Sequence, residues 1–476
     1  MDECGELALP YGDETIRWLF RAEAGQTQVL QLPYRPGLPD VPGAVRQALR
    51  APLAGPPLAE AVRGRGPVLI LVSDLTRAVP YHDVLPALVA ELTSAGLLPS
   101  DLAFLTATGA HRALTPVELE ECYGPVARAG YAFFQHDADA GNVCLGQLST
   151  GNELWIDERA VDAGFRIVVS MVTPHYFAGY SGSRKSILPG VAGRETIRAN
   201  HARIIHPYAR LTNLTDNVIH QEMMEAARIV GVDFDLELVV NDEREIVGVF
   251  GGAMEATFPA AVAACDNLYR VPVPAPADVV VVSAGGYPKD INLYQTQKAA
   301  NHAALVTAPG GTMILVAECR DGVGSAQFEE TLRRAASPAE LAATPEELSM
   351  PRAHPVGFAA RPCSRGVCHP APAAGHRPAA SSRLFTEETI RLGEHTAIAT
   401  ARILQQCEVV VVSDLPRETV EGMHFTHAAT LDEALAYART KHGPAALTYV
   451  IPHGGFILPV VTRSFTAKTS PAPCPR

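Results

Sequence analysis

Six apolar runs rich in β-branched residues constrain the fold of this 476-residue chain most strongly. They do not alternate apolar with polar residues, which is typical of strands buried on both faces in a parallel sheet. Helical stretches lie between them, as at 83–96 and 115–130. The order strand, helix, strand predicts an α/β protein with mainly parallel sheets. The runs are VLILVSD at 68–74, DLAFLTATG at 101–109, FRIVVSMV at 165–172, DVVVVSAGG at 278–286, TMILVAE at 312–318 and EVVVVSD at 408–414.

The length predicts more than one domain, because a single hydrophobic core stops growing beyond about 250–300 residues. A short proline-rich stretch around 269–280 fits a linker. We therefore expect an N-terminal α/β domain over 1–270 and a C-terminal α/β domain over 271–460, followed by a tail at 461–476. Residues 351–383 are rich in proline, alanine, glycine and arginine without any periodicity, which predicts a disordered insertion.

Charge and cysteine content exclude several classes of protein. Lys and Arg total 39 against 51 Asp and Glu, a net charge of -12 that disfavours binding to nucleic acid or to an anionic membrane. No apolar run reaches the ~20 residues that span a bilayer, and the acidic start lacks the pattern of a signal peptide, so we expect a cytoplasmic protein. The nine dispersed cysteines fit reduced thiols. A zinc cluster of Cys363, Cys368, His369 and His376 fits no standard ligand spacing.

Polar side chains follow four of the apolar runs. In parallel sheets, ligands bind beyond the carboxyl ends of the strands, so these side chains are candidates for one site. They are Asp74 and Arg77 after the first run, His111 after the second, His175 and Lys185 after the third, and Tyr294, Gln295 and Lys298 after the fourth.

Lys185 stands in a stretch of small and turn-forming residues, PHYFAGYSGSRKSILPG at 174–190. A phosphate-binding P-loop is disfavoured, because the glycine spacing is wrong and Arg184 directly precedes the lysine. A neighbouring cation in a desolvated pocket lowers the pKa of an amine and makes it nucleophilic, which favours a covalent attachment point. A solvated loop lysine is the common alternative for an arbitrary lysine.

Three histidines have positions that suit chemistry. His111 and His175 follow different strands and would suit a racemase, which needs a base on one face of a carbon and an acid on the other. His201, in RETIRANHARIIHP at 194–207, lies on the apolar face of a predicted helix and is either a metal ligand or a core residue. The fork-shaped guanidinium of Arg77 suits a carboxylate or a phosphate, with a surface ion pair as the alternative. Gln295 and Lys298 would share one helix face.

Together, several segments resemble the nickel-dependent lactate racemase family. The resemblance extends from about residue 8 to 460, interrupted at 351–383, and its longest block is highly specific. Ser183 stands in that block where a second glycine is common, a change we expect to be tolerated. The matching segments are SDLTRAVP, TATGAHR, PHYFAGYSGSRKSILPGVAGRETIRANH, GGYPKDINLYQTQKA, VVVVSDLP and VIPHGGFILP.

The resemblance implies two α/β domains with the active site in the cleft between them. It also implies a nickel pincer nucleotide, pyridinium-3,5-bisthiocarboxylic acid mononucleotide, which cofactor-synthesis proteins would have to supply. By the same resemblance Lys185 bonds covalently to the cofactor, His201 binds nickel, and His111 and His175 are the acid/base pair. The further residues that it implies are Asp74, Thr76, Gly182 and Arg184 for the cofactor and Arg77, Tyr294, Gln295 and Lys298 for the substrate.

The implied reaction is racemisation or epimerisation of a small 2-hydroxy acid, lactate or a relative. A histidine removes the hydroxyl proton while C2 passes hydride to the cofactor, and hydride then returns to the other face of the 2-keto acid. Two alternatives remain open from the residues: an enzyme in which Lys185 forms a Schiff base, and a non-catalytic homologue that binds the cofactor or a small anion.

Overall fold

A computed structural model describes residues 3–22, 26–342, 387–455 and 457–462. The predicted insertion at 351–383, with its cysteines and histidines, lies outside the described residues, as does nearly all of the predicted tail at 461–476.

The described residues form strands β1–β20 and helices α1–α15. The strands, in chain order, are Glu3–Tyr11, Glu14–Ala22, Thr27–Val29, Val68–Ser73, Leu102–Ala107, Ala132–Gln135, Asn142–Gln147, Glu153–Asp157, Phe165–Met171, Pro174–His175, Gly179–Tyr180, Phe234–Val240, Ile246–Gly252, Arg270–Val273, Ala277–Ser283, Thr307–Val316, Glu408–Val412, Thr426–Ala428, Thr448–Ile451 and Leu458–Val461. The helices are Val41–Arg50, Leu58–Ala61, Tyr81–Ser94, Pro116–Tyr123, Pro125–Arg128, Glu158–Asp162, Arg194–Ala202, Val218–Val230, Met254–Tyr269, Leu293–Ala303, Ala326–Arg334, Pro338–Ala342, Glu394–Gln406, Arg417–Glu421 and Leu431–His442.

The first large sheet has six strands in the order β13-β12-β9-β4-β5-β6. Its neighbours are parallel except for β13, which pairs antiparallel with β12. In β4, Leu69 and Leu71 pack into one hydrophobic cluster while Val68, Ile70 and Val72 pack into another on the opposite face. Both faces of the strand are therefore buried, which explains why its sequence does not alternate.

The second large sheet also has six strands, in the order β18-β17-β16-β15-β19-β3, and all of its pairs are parallel. In β15, Val280 and Val282 pack on one face while Val279 and Val281 pack on the other. The prediction of two α/β units built mainly on parallel sheets is thus confirmed.

The first residues of the chain lie with the second sheet rather than with the first. Strand β3 pairs with β19, and Ser283 Oγ at the end of β15 donates a 2.6 Å hydrogen bond to the carbonyl of Pro10. The N-terminal segment therefore departs from the expectation that residues 1–270 form one continuous unit, because the open edge of β19 takes up β3 as a further strand. The domain boundary near residue 270 stays a prediction.

Candidate active site

Three neighbouring strands of the first sheet aim their following loops at one cavity. The chain runs from β4 to β5 and β6 on one side of β4, and β9 then pairs with the other side of β4. Such a reversal opens a crevice at the carboxyl ends of the strands, where α/β proteins bind their ligands. The crevice opens into a cavity of about 350 Å³. Among its lining residues are the predicted Asp74, Thr76, Arg77, His111, His175, Gly182, Lys185, His201, Tyr294, Gln295 and Lys298.

His111 and Asp74 form a hydrogen-bonded pair at the mouth of the cavity. Nδ1 of His111 lies 2.6 Å from Oδ2 of Asp74, and the His111 side chain is 53% exposed whereas that of Asp74 is 5% exposed. The other carboxylate oxygen, Oδ1, accepts hydrogen bonds from the Thr76 amide at 3.1 Å and hydroxyl at 2.6 Å. Burial works against ionisation of Asp74, but the hydrogen bonds and charge of His111 outweigh it and leave the pKa of Asp74 lowered.

His175 faces the same cavity from the short hairpin that follows β9. Its Nδ1 accepts a hydrogen bond of 3.4 Å from the Ala178 amide, and its ring stacks on Tyr176 and packs edge-on against Phe177. Burial lowers the pKa of His175 well below its usual range, and the positive charge of Lys185 lowers it further. The ring is therefore neutral near pH 7.

Lys185 lies in the 3-10 helix Ser183–Ser186 and is buried. Its ammonium nitrogen lies 5.4 Å from the centre of the Phe177 ring. Burial lowers the pKa of Lys185 well below 10.5, followed in effect by the charges of Arg77 and Arg184. These effects disfavour the protonated form of the amine and make it more nucleophilic, which suits a covalent attachment point.

Arg184 departs from the prediction that it binds a cofactor. Its side chain is fully buried and points into the core instead of the cavity, with its guanidinium 4.2 Å from the centre of the Phe258 ring. It donates hydrogen bonds to the carbonyls of Ser181, Ala178 and Tyr180 and to Nδ1 of His220. The reason is local: neighbouring residues of a tight turn point in different directions, so Lys185 and Arg184 cannot both face the cavity.

His201, near the end of α7, reaches the cavity floor. Its Nδ1 is buried and has no hydrogen-bond partner of normal geometry among the described residues. The nearby backbone carbonyl of Ile197 favours the protonated ring and so partly opposes the lowering of its pKa. Burial, and then the charges of His395 and Lys185, lower the pKa of His201 well below its usual range. A neutral imidazole whose Nδ1 is enclosed leaves Nε2 as the nitrogen available to a metal.

His395 is a cavity residue that the sequence did not single out. It lies in the first turn of α13, in the second domain, and its ring meets that of His201 at 5.3 Å between centroids and 88° between planes. The Gly393 amide donates a 3.2 Å hydrogen bond to Nδ1 of His395. The neutral ring therefore carries its proton on Nε2 and is a donor rather than a metal ligand. The segment GEHTAIATARIL offered one signal, a histidine two residues after a glycine that precedes a helical stretch.

The second domain supplies the predicted substrate residues from the first turns of α10. Lys298 Nζ donates a 2.8 Å hydrogen bond to Oε1 of Gln295, so these two side chains share a helix face. Burial lowers the pKa of Lys298 to about 8, and the charge of Arg77 from the first domain contributes to the shift. The hydroxyl of Tyr294 accepts a hydrogen bond from Thr396, whose own hydroxyl lies 3.2 Å from that of Tyr176. The cavity is thus closed by both domains.

Comparison with known proteins gives a clear affiliation. The family model for the lactate racemase N-terminal domain matches residues 11–212, and that for the lactate racemase C-terminal domain matches residues 273–355 and 385–458. The chain belongs to the lactate racemase family. The prediction of that family and of an isomerase of the racemase type is therefore confirmed.

Individual relatives agree with this affiliation. The lactate racemase of Lactiplantibacillus plantarum is 33% identical over 415 residues, covering 86% of this chain and 89% of the relative. That of Thermoanaerobacterium thermosaccharolyticum is 31% identical over 456 residues, covering 94% and 96%. The lactate racemase apoprotein structure from the latter organism superposes with a TM-score of 0.80 at 28% identity, over 96% of this chain and 100% of that one. A Thermotoga maritima protein with a TM-score of 0.61 and 15% identity, covering 88% and 98%, shares the fold.

Two further predictions concern metals and membranes. In the part of the chain that the structure describes, no group of three or more His, Cys, Asp or Glu side chains is arranged to hold a metal ion. Among the described helices, none combines the length and apolarity needed to cross a bilayer.

Proposed function

We propose that this protein racemises a small 2-hydroxy acid, lactate or a close relative, with a nickel pincer nucleotide attached to Lys185. The observation that supports this most directly is that His111 and His175 face one cavity together with the buried amine of Lys185. The Nδ1 atoms of the two histidines have opposite hydrogen-bonding roles, because that of His111 contacts a carboxylate and that of His175 accepts a hydrogen bond from a backbone amide. Membership of the lactate racemase family adds the reaction class, and relatives named lactate racemase suggest the substrate.

The residues fit such a cofactor. The cavity of about 350 Å³ is large enough for a mononucleotide. Lys185 offers a desolvated amine for covalent attachment, and His201 offers an available Nε2 for nickel. When bound, this group supplies reversible acceptance of a hydride from C2, which the side chains of a protein cannot supply.

His111 is the base that is ready in the resting enzyme. With Asp74 ionised, Nδ1–H of His111 donates a hydrogen bond to the carboxylate, so the neutral form of the ring has its lone pair on Nε2. A buried carboxylate that orients an imidazole in this way also stabilises the imidazolium formed when the ring takes a proton. His111 would therefore accept the hydroxyl proton of the substrate at Nε2.

His175 has the opposite arrangement. Its Nδ1 accepts a backbone hydrogen bond, so the neutral ring carries its proton on Nε2 and donates to a substrate oxygen. Bond formation at Lys185 removes one of the cations that depress the pKa of His175, which brings that pKa closer to the operating pH. For the opposite enantiomer the two histidines exchange roles.

The substrate carboxylate would bind between the two domains. Arg77 offers a bidentate fork, and Lys298 offers a second cation held by Gln295. A substrate carboxylate between Arg77 and Lys298 would favour the charged forms of both side chains. Because the two side chains come from different domains, the same contact would hold the domains together. A cavity of about 350 Å³ that also has to hold the cofactor favours a small acid.

The proposal is tested by producing the protein together with cofactor-synthesis proteins. We expect intact mass spectrometry to find an adduct on Lys185, metal analysis to find nickel, and chiral chromatography to show interconversion of the lactate enantiomers. Unmodified Lys185 together with borohydride trapping of a carbonyl compound would favour a Schiff-base enzyme. Nickel and adduct without turnover of any 2-hydroxy acid would favour a non-catalytic homologue. We expect the reaction in the cytoplasm, where the maturation proteins would act.

A further inference from the structure

Two buried carboxylates lie directly beneath the turn that presents Lys185. Asp235 and Glu237 are two residues apart on β12 and therefore point to the same face of the sheet. Both are completely buried. Neither has a part in the reaction proposed above, and burying two acidic side chains costs stability unless their protons and partners are arranged to compensate.

Ser183, the first residue of the lysine turn, contacts both carboxylates. Its hydroxyl oxygen lies 2.7 Å from Oδ2 of Asp235 and 2.5 Å from Oε1 of Glu237. Its backbone amide donates a 2.5 Å hydrogen bond to the same Oε1 atom. Gly182 allows this close approach, because a Cβ at that position would lie 2.5 Å from Oε1 of Glu237.

Counting protons decides the charge of the pair. A hydroxyl has one hydrogen, so Ser183 can donate to only one of the two carboxylate oxygens. The other contact requires a proton on the carboxyl group. Glu237 already accepts the Ser183 amide and, through Oε2, the Ser170 hydroxyl at 2.8 Å, as a carboxylate does. Asp235 accepts the Thr257 hydroxyl at Oδ2, while its Oδ1 has no partner among the described residues.

We propose that Asp235 is a neutral carboxylic acid that donates to Ser183, which in turn donates to an ionised Glu237, and that this relay positions the turn carrying Lys185. The relay fixes both the amide and the hydroxyl of the residue two places before the reactive lysine. Asp235 and Glu237 act through the turn and neither lines the cavity, so both are positioning residues.

The charged surroundings agree with this assignment. Burial and the charge of Glu237 raise the pKa of Asp235 well above 3.8, and the charge of Glu255 on α9 adds to the shift. The hydroxyls of Thr257 and Ser183 work in the opposite direction. Around Glu237, burial raises the pKa while Ser183, Ser170 and the guanidinium of Arg184 lower it. Among the causes of the two shifts, the charge of Arg184 therefore favours ionisation of Glu237, and no cation acts in that way on Asp235.

Two isosteric variants of the apoprotein distinguish which of the two carboxyl groups carries the proton. Asp235→Asn replaces the acid O–H with an amide donor and keeps the relay, so Lys185 should react with acetic anhydride within twofold of the wild-type rate. Glu237→Gln places an amide donor against groups that already donate, so the turn loosens and the rate should change at least tenfold. Lys441, paired with Glu408 and 39% exposed, is the internal standard in the same mass spectra.

A pH series adds a measurement that a passive packing role would not affect. In the wild type, Asp235 keeps its proton while the turn is folded but loses it when the turn unfolds locally at any pH above the unfolded pKa of about 3.9. The equilibrium constant for local unfolding of the turn therefore rises by up to about tenfold per pH unit, until the pH reaches the pKa of folded Asp235. Asp235→Asn lacks this dependence. The ratio of amide exchange in Ser183–Ser186, wild type over Asp235→Asn at equal pH, should therefore rise between pH 5 and pH 7.

Three results would overturn the proposal. The first is a ratio that stays constant with pH. The second is a Lys185 rate that changes tenfold in Asp235→Asn but not in Glu237→Gln, which would place the proton on Glu237. The third is an unchanged Lys185 rate in both variants, which would mean that the pair does not position the turn. If Glu237→Gln fails to fold, the Asp235→Asn rate and the pH series still decide.

Discussion

Nδ1 of His111 lies 2.6 Å from Oδ2 of Asp74, and this contact links the ends of two neighbouring strands. The carboxylate is held from its other side by Thr76 and is almost completely buried. This pairing sets which nitrogen of His111 is available to take a proton. It also gives Asp74 a defined task in the proposed mechanism, in addition to its predicted contact with the cofactor.

Asp74→Asn should lower kcat per bound nickel by at least about 10²-fold, because the side-chain amide donates to Nδ1 instead of accepting its proton and the ring adopts the unproductive tautomer. The measurement is the initial rate of enantiomer interconversion by nickel-loaded enzyme. Thr76→Val is the matched control, since it removes the other partner of Asp74 and should cost far less. Equal losses in both variants would contradict the role given to the contact.

The pKa of His175 should rise when the positive charge of Lys185 is removed. Burial is the largest cause of its depression and Lys185 the next, so Lys185→Met in the apoprotein should bring titration of His175 to higher pH, although burial still keeps it below 6.5. The ring signals of selectively labelled histidine report this directly. His302, whose pKa burial lowers to about 4, lies away from the lysine and should not change. An unchanged His175 titration would contradict the charge coupling.

His395→Phe should speed loss of nickel from the loaded enzyme during incubation with a chelator by about two- to tenfold, because the neutral hydrogen bond that Nε2 of His395 would donate to a bound cofactor contributes about 0.5–1.5 kcal/mol. His395→Gln keeps a donor at the position of Nε2 and should lose nickel at nearly the wild-type rate. Metal content by mass spectrometry after timed desalting is the measurement. Nickel loss that is accelerated equally in both variants, or in neither, would contradict the donor role given to His395.

Loss of the Arg184 side chain should lower the stability of the protein, whereas loss of the Arg77 side chain should weaken substrate binding. Arg184→Met leaves three buried carbonyls without donors and should cost about 3–5 kcal/mol of stability. Arg77→Met should leave the thermal midpoint nearly unchanged but raise KM for the 2-hydroxy acid. Thermal unfolding of the apoproteins and steady-state kinetics of the loaded enzymes test the pair. A stable Arg184→Met protein with impaired cofactor loading would restore the original prediction that this residue binds the cofactor.

Much of the fold and of the cavity follows from the sequence, because both depend on patterns within single segments. Apolar runs without alternation marked strands such as β4 and β15, and the residues following them had to lie at one edge of a sheet. That is why His111, His175 and Lys185 were predicted as neighbours. Their roles stay predictions until kinetics test them.

Features that depend on contacts between distant segments were not predictable. The direction of Arg184 is set by carbonyls and by His220, which lies thirty-six residues away along the chain. His395 meets His201 only after two domains have packed together. The pairing of β3 with β19 joins strands from opposite ends of the chain. The acidic alternation of Asp235 and Glu237 within an apolar strand was visible, but its partner Ser183 was not.

The most direct test of the proposed racemase is to convert L-lactate in D₂O with the nickel-loaded enzyme and to analyse both enantiomers by mass. Hydride transfer keeps the original hydrogen on C2, so we predict a racemic mixture without deuterium at C2. Deuterium at C2 would show that the hydrogen leaves as a proton, and would contradict the hydride mechanism. Failure of the loaded enzyme to convert lactate or any other small 2-hydroxy acid would contradict the proposed function itself.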